Sequence, residues 1–140
     1  LSEGNVASNW LEIGASSSKM DENLPAKFSN YGNFSVDIFA PGVDIYATLP
    51  ENKYDTRSGT SMAAPVASGV ATLLISYFPH LTPEQIIEII IESGTEYTLD
   101  VKLPGSETEK VSFQSLSKSG KIINAYNAVK LALEKYDSKE

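Results

Sequence analysis

A serine lies at the start of the longest uncharged stretch of the chain. Residues 58–83 contain no Asp, Glu, Lys or Arg, and they predict a long apolar helix with Ser61 in its first turn. The first N–H groups of a helix have no intrahelical acceptor, and the helix dipole adds partial positive charge there. A carbonyl attacked by the serine hydroxyl becomes an oxyanion, which those groups would stabilise. The pattern therefore indicates a nucleophile for acyl transfer.

The residues just before Ser61 complete the predicted site. Gly59, Thr60 and Ser61 form the expected active-site turn, in which the Ser61 N–H contributes to an oxyanion hole. Gly59 has no side chain, so a substrate backbone could approach the serine closely. Arg57 and Ser58 are the candidates for the wall of the substrate cleft. A simpler interpretation is that Ser61 or Thr60 only caps the helix, which is the usual role of a serine before an apolar helix.

Ser61 has no catalytic base within this sequence. A serine hydroxyl is a weak nucleophile unless a histidine takes its proton and a carboxylate orients that histidine. His80 is the single histidine and follows Ser61 by nineteen residues. At about 1.5 Å per helical residue it would lie roughly 25–30 Å away. We therefore predict that His80 is a surface residue.

The elements around Ser61 predict an α/β fold. Short strands are predicted at residues 10–15 and 36–39, and alternation over residues 43–49 predicts a third. A nine-residue loop, 50–58, is expected to follow. The helix over residues 61–78 is predicted to be buried on every side because it has no charged residue. Strands separated by helices indicate a layered α/β architecture.

Two amphipathic helices and a hairpin are predicted after the apolar helix. Polar residues around a Pro-Gly turn predict hairpin strands near residues 97–103 and 110–113. A final helix is expected from Asn124 to Tyr136, followed by a charged tail. The helix before the hairpin has a capping box, a proline in its first turn and a glycine at its end. Thr82 and Gln85 form the capping box, Pro83 is the proline and Gly94 is the glycine.

Composition limits the partners and cofactors. The 140 residues include eighteen acidic and eleven basic side chains, a net charge of −7, and no cysteine. The negative charge argues against nucleic acid or an anionic membrane as partner, and the missing cysteines exclude disulfides and thiolate metal sites. The apolar helix just reaches the length of a membrane span, but its small residues favour a buried globular helix. Leu1 is followed by no targeting pattern, so we expect this chain to be a part of a longer domain.

A seven-residue string around Ser61 and several shorter motifs occur in the order found in one protein family. Residues 59–65 read Gly-Thr-Ser-Met-Ala-Ala-Pro. The shorter motifs are Phe28-Ser29-Asn30-Tyr31-Gly32, Ala40-Pro41-Gly42, Ala47-Thr48-Leu49-Pro50, Leu81-Thr82 and Gly120 with Asn124-Ala125. Together they resemble the subtilisin-like serine proteases, the subtilases, over most of the chain. Two segments differ from compact members: residues 65–69 read Pro-Val-Ala-Ser-Gly, and residues 99–119 are longer.

The resemblance implies that residues 1–140 are the C-terminal portion of a subtilisin-like peptidase domain. Such a domain has a mostly parallel sheet and a buried helix that carries the nucleophile, here Ser61, which forms an acyl-enzyme with a protein or peptide substrate. Members supply the triad aspartate and histidine, and an oxyanion asparagine, from motifs that would precede Leu1. We therefore expect this chain alone to be inactive, to need the missing N-terminal half, and to self-associate through an uncovered sheet edge. Members are commonly secreted, which implies a secreted or cell-envelope protein.

No cofactor is expected from the sequence. Asp37 matches a position near which subtilases can hold a weak cation, but one carboxylate is an incomplete oxygen cage for Ca²⁺. The hypothesis that competes with a peptidase is a non-catalytic protein, either a pseudoprotease that keeps the apolar helix for packing or a structural or interaction fragment.

Overall fold

The computed structural model describes residues 7–137. Residues 1–6 and 138–140, which include the predicted chain start and most of the charged tail, lie outside the described residues. The strands are β1 (Ile13–Ser16), β2 (Ile38–Pro41), β3 (Ile45–Leu49), β4 (Lys53–Arg57), β5 (Thr95–Glu96), β6 (Asp100–Lys102), β7 (Lys110–Ser112) and β8 (Lys121–Ile122). The helices are α1 (Thr60–Tyr77), α2 (Pro83–Ser93) and α3 (Ala125–Ala132); a 3₁₀ turn spans Phe113–Leu116 and a π-helical turn spans Leu133–Asp137.

The central sheet has the strand order β1-β2-β8-β5. β1, β2 and β8 are parallel, and β5 runs antiparallel to β8. Successive side chains of β2 face opposite sides, so Ile38 packs with the three helices and Phe39 packs with the segment that contains the β6–β7 hairpin. The rings of Phe39 and Phe113 lie 5.1 Å apart. This sheet, covered by helices on one side, confirms the predicted α/β class.

Both predicted ends of α2 and the predicted start of α3 are confirmed. The helix expected to reach Tyr136 ends as α3 at Ala132, and the π-helical turn Leu133–Asp137 follows it. The Thr82 N–H donates to the Gln85 side chain at 2.8 Å, and the Gln85 N–H donates to the Thr82 hydroxyl at 3.3 Å. Gly94 ends α2. Asn124 caps α3 by accepting from the N–H of Asn127 at 3.0 Å. These helices are specified locally, because each cap satisfies donors that the helix itself leaves free.

The predicted hairpin in the long segment is also confirmed, as β6 paired with β7. Glu22, in the loop after β1, bridges both strands through Lys102 at 2.9 Å and Lys110 at 2.5 Å. Hydrogen bonds from Lys110 and then Lys102 lower the pKa of Glu22 to about 2. The Glu22 carboxylate therefore stays ionised at neutral pH and links the hairpin to that loop.

The expected loop over residues 50–58 is wrong in its main part. Lys53–Arg57 forms β4, which pairs antiparallel with β3 from Ile45↔Arg57 to Leu49↔Lys53. All five residues of β4 are exposed. A strand without a buried face has no hydrophobic alternation, which explains why sequence periodicity does not reveal it.

The prediction that α1 is buried on every side is wrong for this chain. Ala63, Ala67, Val70 and Leu74 are its buried residues, and they lie on the face toward the sheet, α2 and α3. The opposite face includes Ile75, which is 51% exposed. Nothing in the described part of the chain covers that face. By length and composition α1 is also able to cross a membrane. One such helix among the described residues is only weak evidence for a membrane span.

Candidate active site

Ser61 is the second residue of α1, and its side chain is exposed. Gly59 is the N-cap residue, and no side chain caps the helix. Within residues 7–137 neither the hydroxyl nor the N–H of Ser61 makes a hydrogen bond. The hydroxyl therefore lies beside a free amide at the positive end of an 18-residue helix. This is the geometry expected of a nucleophile with part of an oxyanion hole.

Backbone hydrogen bonds hold this turn against the ends of two parallel strands. The Gly59 N–H donates to the Gly42 carbonyl at 2.8 Å, and the Gly42 N–H donates to the Ser16 carbonyl at 2.9 Å. Ser16 ends β1, and Gly42 directly follows β2. Ser61 is thus tied to the carboxyl ends of parallel strands, where α/β proteins usually place their ligands.

Small residues allow this close approach. Ala15, Ala40 and Ala63 are completely buried where the first turn of α1 meets the strands. A Cβ at Gly42 would lie 2.8 Å from the Ala15 Cβ, 2.8 Å from the Gly59 carbonyl oxygen and 3.1 Å from the Ala63 Cβ. None of these atoms can rotate away. Gly42 is therefore a packing requirement of the active-site turn, which the sequence analysis did not identify, although the Ala-Pro-Gly motif pointed to this position.

Gly59 differs from Gly42 in what surrounds it. Its backbone is extended, and a Cβ there would meet the Met62 sulfur at an ordinary 3.4 Å. The described chain has room for a side chain at Gly59. Packing within the described chain therefore does not require a glycine here, and the expected role of Gly59 beside the substrate stays a prediction.

An open cleft of about 480 Å³ lies beside Ser61. One wall is the start of α1, another is the segment that enters β1, and the third is the turn before β2. Most of this lining has no signal in the sequence, apart from Thr60, Ser61 and the place of Asn30 in the Phe-Ser-x-x-Gly motif. The lining residues are Trp10, Leu11, Glu12, Ile13, Asn30, Ser35, Val36, Thr60, Ser61 and Ala64.

The two predicted substrate-cleft residues are absent from this lining. Arg57 is exposed at the end of β4 and forms an ion pair with Asp55. The hydrogen bonds from Thr56 and then Arg57 lower the pKa of Asp55. The Ser58 hydroxyl accepts a hydrogen bond from the N–H of Asp44 at 2.9 Å. Both residues border the active-site turn, but neither lines the 480 Å³ cleft.

His80 lies where the sequence predicted it, on the surface beyond α1. Its ring packs edge-on against Phe78, with the ring centres 6.5 Å apart. α1 has 18 residues, so its length of about 27 Å separates His80 from Ser61. His80 therefore cannot take the proton of Ser61 within one chain.

Asp37 is 8% exposed and is held by groups of the chain itself. One carboxylate oxygen accepts from the Glu12 N–H at 2.7 Å, and the other accepts from the Lys118 ammonium at 2.7 Å. Among residues 7–137 no group of three or more His, Cys, Asp or Glu could hold a metal ion. The Lys118 ammonium already forms an ion pair with this carboxylate, and a cation at Asp37 stays a prediction. Asp37 also holds the backbone of Glu12, which lines the cleft beside Ser61.

Comparison with known proteins identifies the family. A sequence profile of the subtilase family, Peptidase S8, matches residues 2–120. This chain belongs to the subtilase family. It is 36% identical over 116 residues to Subtilisin-like protease 1 of Plasmodium vivax, covering 82% of this chain and 16% of that protein. It is 43% identical over 104 residues to a thermophilic serine proteinase of Bacillus sp. strain AK1, covering 74% of this chain and 22% of that protein.

Solved structures place the fold in the same family. The chain in the subtilase cytotoxin SubAB assembly matches with a TM-score of 0.67 at 26% identity, covering 89% of this chain and 37% of that one. A cold-adapted subtilisin-like serine proteinase matches with a TM-score of 0.59 at 30% identity, covering 79% and 36%. The predicted partial subtilisin-like fold is thus confirmed. This subtilase chain spans less than half the length of each of these relatives.

Proposed function

We propose that this chain is part of a serine endopeptidase that cleaves peptide bonds through an acyl-enzyme on Ser61. The observation that carries the proposal is an exposed hydroxyl beside the free Ser61 amide, at the start of α1 and at the carboxyl ends of β1 and β2. The hydroxyl attacks the peptide carbonyl, and the Ser61 N–H donates to the oxyanion that forms. Collapse of this intermediate releases the amine and leaves the acyl group on Ser61, and water then frees the carboxylate.

The base that activates Ser61, its orienting carboxylate and the oxyanion asparagine would come from a preceding half of the domain. Two features support this proposal. Among the strands of the described sheet β1 pairs only with β2, although residues 24–29 already bond the carboxyl end of its other edge, at Ala15 and Ser17. One face of α1 is also open, and a groove of about 280 Å³ runs between α1, α2 and the segment that enters β1. A preceding half could complete the sheet and cover both.

The hydroxyl groups on the exposed face of α1 already have hydrogen-bond partners within the helix. Each donates to a backbone carbonyl one turn earlier: Ser68 to Ala64 at 3.1 Å, Thr72 to Ser68 at 2.8 Å and Ser76 to Thr72 at 2.8 Å. Burying a hydroxyl is costly mainly when its hydrogen bond is lost. These hydroxyls could therefore enter an apolar interface without losing a partner.

The open groove also predicts that this chain self-associates when it is alone. We expect sedimentation velocity to show dimers or larger species that dissociate on dilution, since edge strands and apolar patches promote pairing. Ile87→Glu should shift the chain toward monomer, because Ile87 lines the groove. Leu133→Glu, at an exposed leucine in the last helical turn, is the matched control. A purely monomeric chain at high concentration would contradict this expectation.

Labelling with a fluorophosphonate tests the proposed function. In the full-length protein we expect one covalent adduct, on Ser61, detected by mass spectrometry of the peptide that contains it. An unreactive Ser61 in the folded full-length protein would favour the competing hypothesis of a pseudoprotease or structural protein. Protein and peptide substrates, a secreted or cell-envelope location, and hydrolysis without a bound metal all belong to the same proposal.

A further inference from the structure

The hairpin β3–β4 leads directly into the active-site turn and has little support of its own. It forms a separate two-stranded sheet, and every residue of β4 is exposed. Two-stranded hairpins are marginally stable in water. The position of Ser61, four residues beyond β4, therefore depends on how the open end of this hairpin is closed.

Two hydrogen bonds close that end. One is the bond from the Gly59 N–H to the Gly42 carbonyl, at 2.8 Å. The other comes just beyond the last ladder pair, Ile45↔Arg57, where the Asp44 N–H donates to the Ser58 side-chain oxygen at 2.9 Å. Asp44 has a φ of 55°, in the left-handed region. Asp44 lies outside the β3–β4 pairing, so its N–H donates to the side chain of Ser58 and not to a backbone carbonyl of β4.

We propose that Ser58 is a positioning residue for the nucleophile, and that its hydroxyl latches the end of the hairpin to Asp44. Ser58 is separated from Ser61 by two residues, so a shift of its backbone passes directly into the active-site turn. Without the latch, the turn would still be held through Gly59, but it would sample a wider range of positions. Small displacements of a nucleophile lower the rate of the chemical step strongly. This inference rests on the proposed acyl-enzyme on Ser61.

The test uses the full-length protein with Ser58→Ala, Ser58→Thr and the control Ser18→Ala. Ser18 is exposed, and its hydroxyl makes no hydrogen bond within residues 7–137. Hydrogen exchange measured by mass spectrometry should show about fivefold faster exchange of the Asp44 amide in Ser58→Ala, the factor for one ordinary hydrogen bond. Fluorophosphonate labelling of Ser61 should slow about tenfold, with kcat reduced and KM nearly unchanged. Ser58→Thr should restore both, and Ser18→Ala should change neither.

The two readouts separate failure of the latch from failure of the proposed function. Unchanged exchange at Asp44 in Ser58→Ala overturns the latch, whatever the activity of the protein. Faster exchange with an unchanged labelling rate overturns the positioning role. If Ser61 does not react even in the unmodified full-length protein, the proposed function fails, and the positioning role that rests on it fails as well.

Discussion

Ser61→Ala in the full-length protein is expected to lower kcat about 10⁶-fold, the size of the loss when the nucleophile of subtilisin is removed. The Ser61 hydroxyl is exposed and makes no hydrogen bond within the described residues. Its removal should therefore change the free energy of unfolding by less than about 0.5 kcal/mol. The measurements are steady-state hydrolysis of a peptide substrate and a denaturant titration of the same preparation.

Ser76→Ala is the matched control for Ser61→Ala, because it removes a hydroxyl from the far end of the same helix. Ser76 donates to the Thr72 carbonyl and lies outside the candidate site. We expect its kcat to equal that of the unmodified protein. Hydrolysis by Ser61→Ala within tenfold of the unmodified rate would contradict the proposed acyl-enzyme. This chain alone should show no measurable hydrolysis with either residue at position 61.

Gly42→Ala is expected to destabilise the protein by about 1–3 kcal/mol, the usual cost of forcing an extra methyl group into a packed site. The new Cβ would overlap the Ala15 Cβ and the Gly59 carbonyl oxygen, each 2.8 Å away. Because Gly59 is the N-cap of α1, the strain would also move the active-site turn. In the full-length protein kcat should fall about 10²-fold, the loss associated with a misplacement of about 1 Å.

Gly59→Ala separates packing from substrate access. A Cβ at Gly59 would make only ordinary contacts within this chain, so the unfolding free energy should change by less than about 0.5 kcal/mol. Activity should still fall, because the methyl group would stand where a substrate backbone approaches Ser61. Equal loss of stability in the two glycine variants would refute the distinction drawn between these positions.

The features that the sequence predicts correctly are local ones. The capping box of Thr82 and Gln85 and the cap at Asn124 each satisfy nearby backbone donors, so three or four residues are enough to specify them. The start of α1 at the active-site turn is also local, because the uncharged stretch begins there. The β6–β7 hairpin follows from its Pro-Gly turn.

The features that the sequence does not reveal depend on distant partners. Asp37 bonds to Glu12 and Lys118, which are 25 and 81 residues away, so its structural role has no local pattern. β5 and β8 have two residues each and exist through their pairing. The uncharged sequence of α1 predicts burial, but this chain supplies a partner for one face only. The apolar sequence of α1 predicts that its surface is buried, and the structure shows that only the face toward the sheet, α2 and α3 is buried by residues 7–137.

The strand order has a consequence for synthesis on the ribosome. β8 lies between β2 and β5 in the sheet although it is the last strand among residues 7–137. Ile122 pairs with Phe39, which is translated 83 residues earlier. A nascent chain must therefore hold one edge of β2 unpaired until the ribosome has released residue 122. Contacts of such long sequence separation form slowly, so closing the sheet through β8 should be a late step of folding, when a chaperone could still bind the open edge.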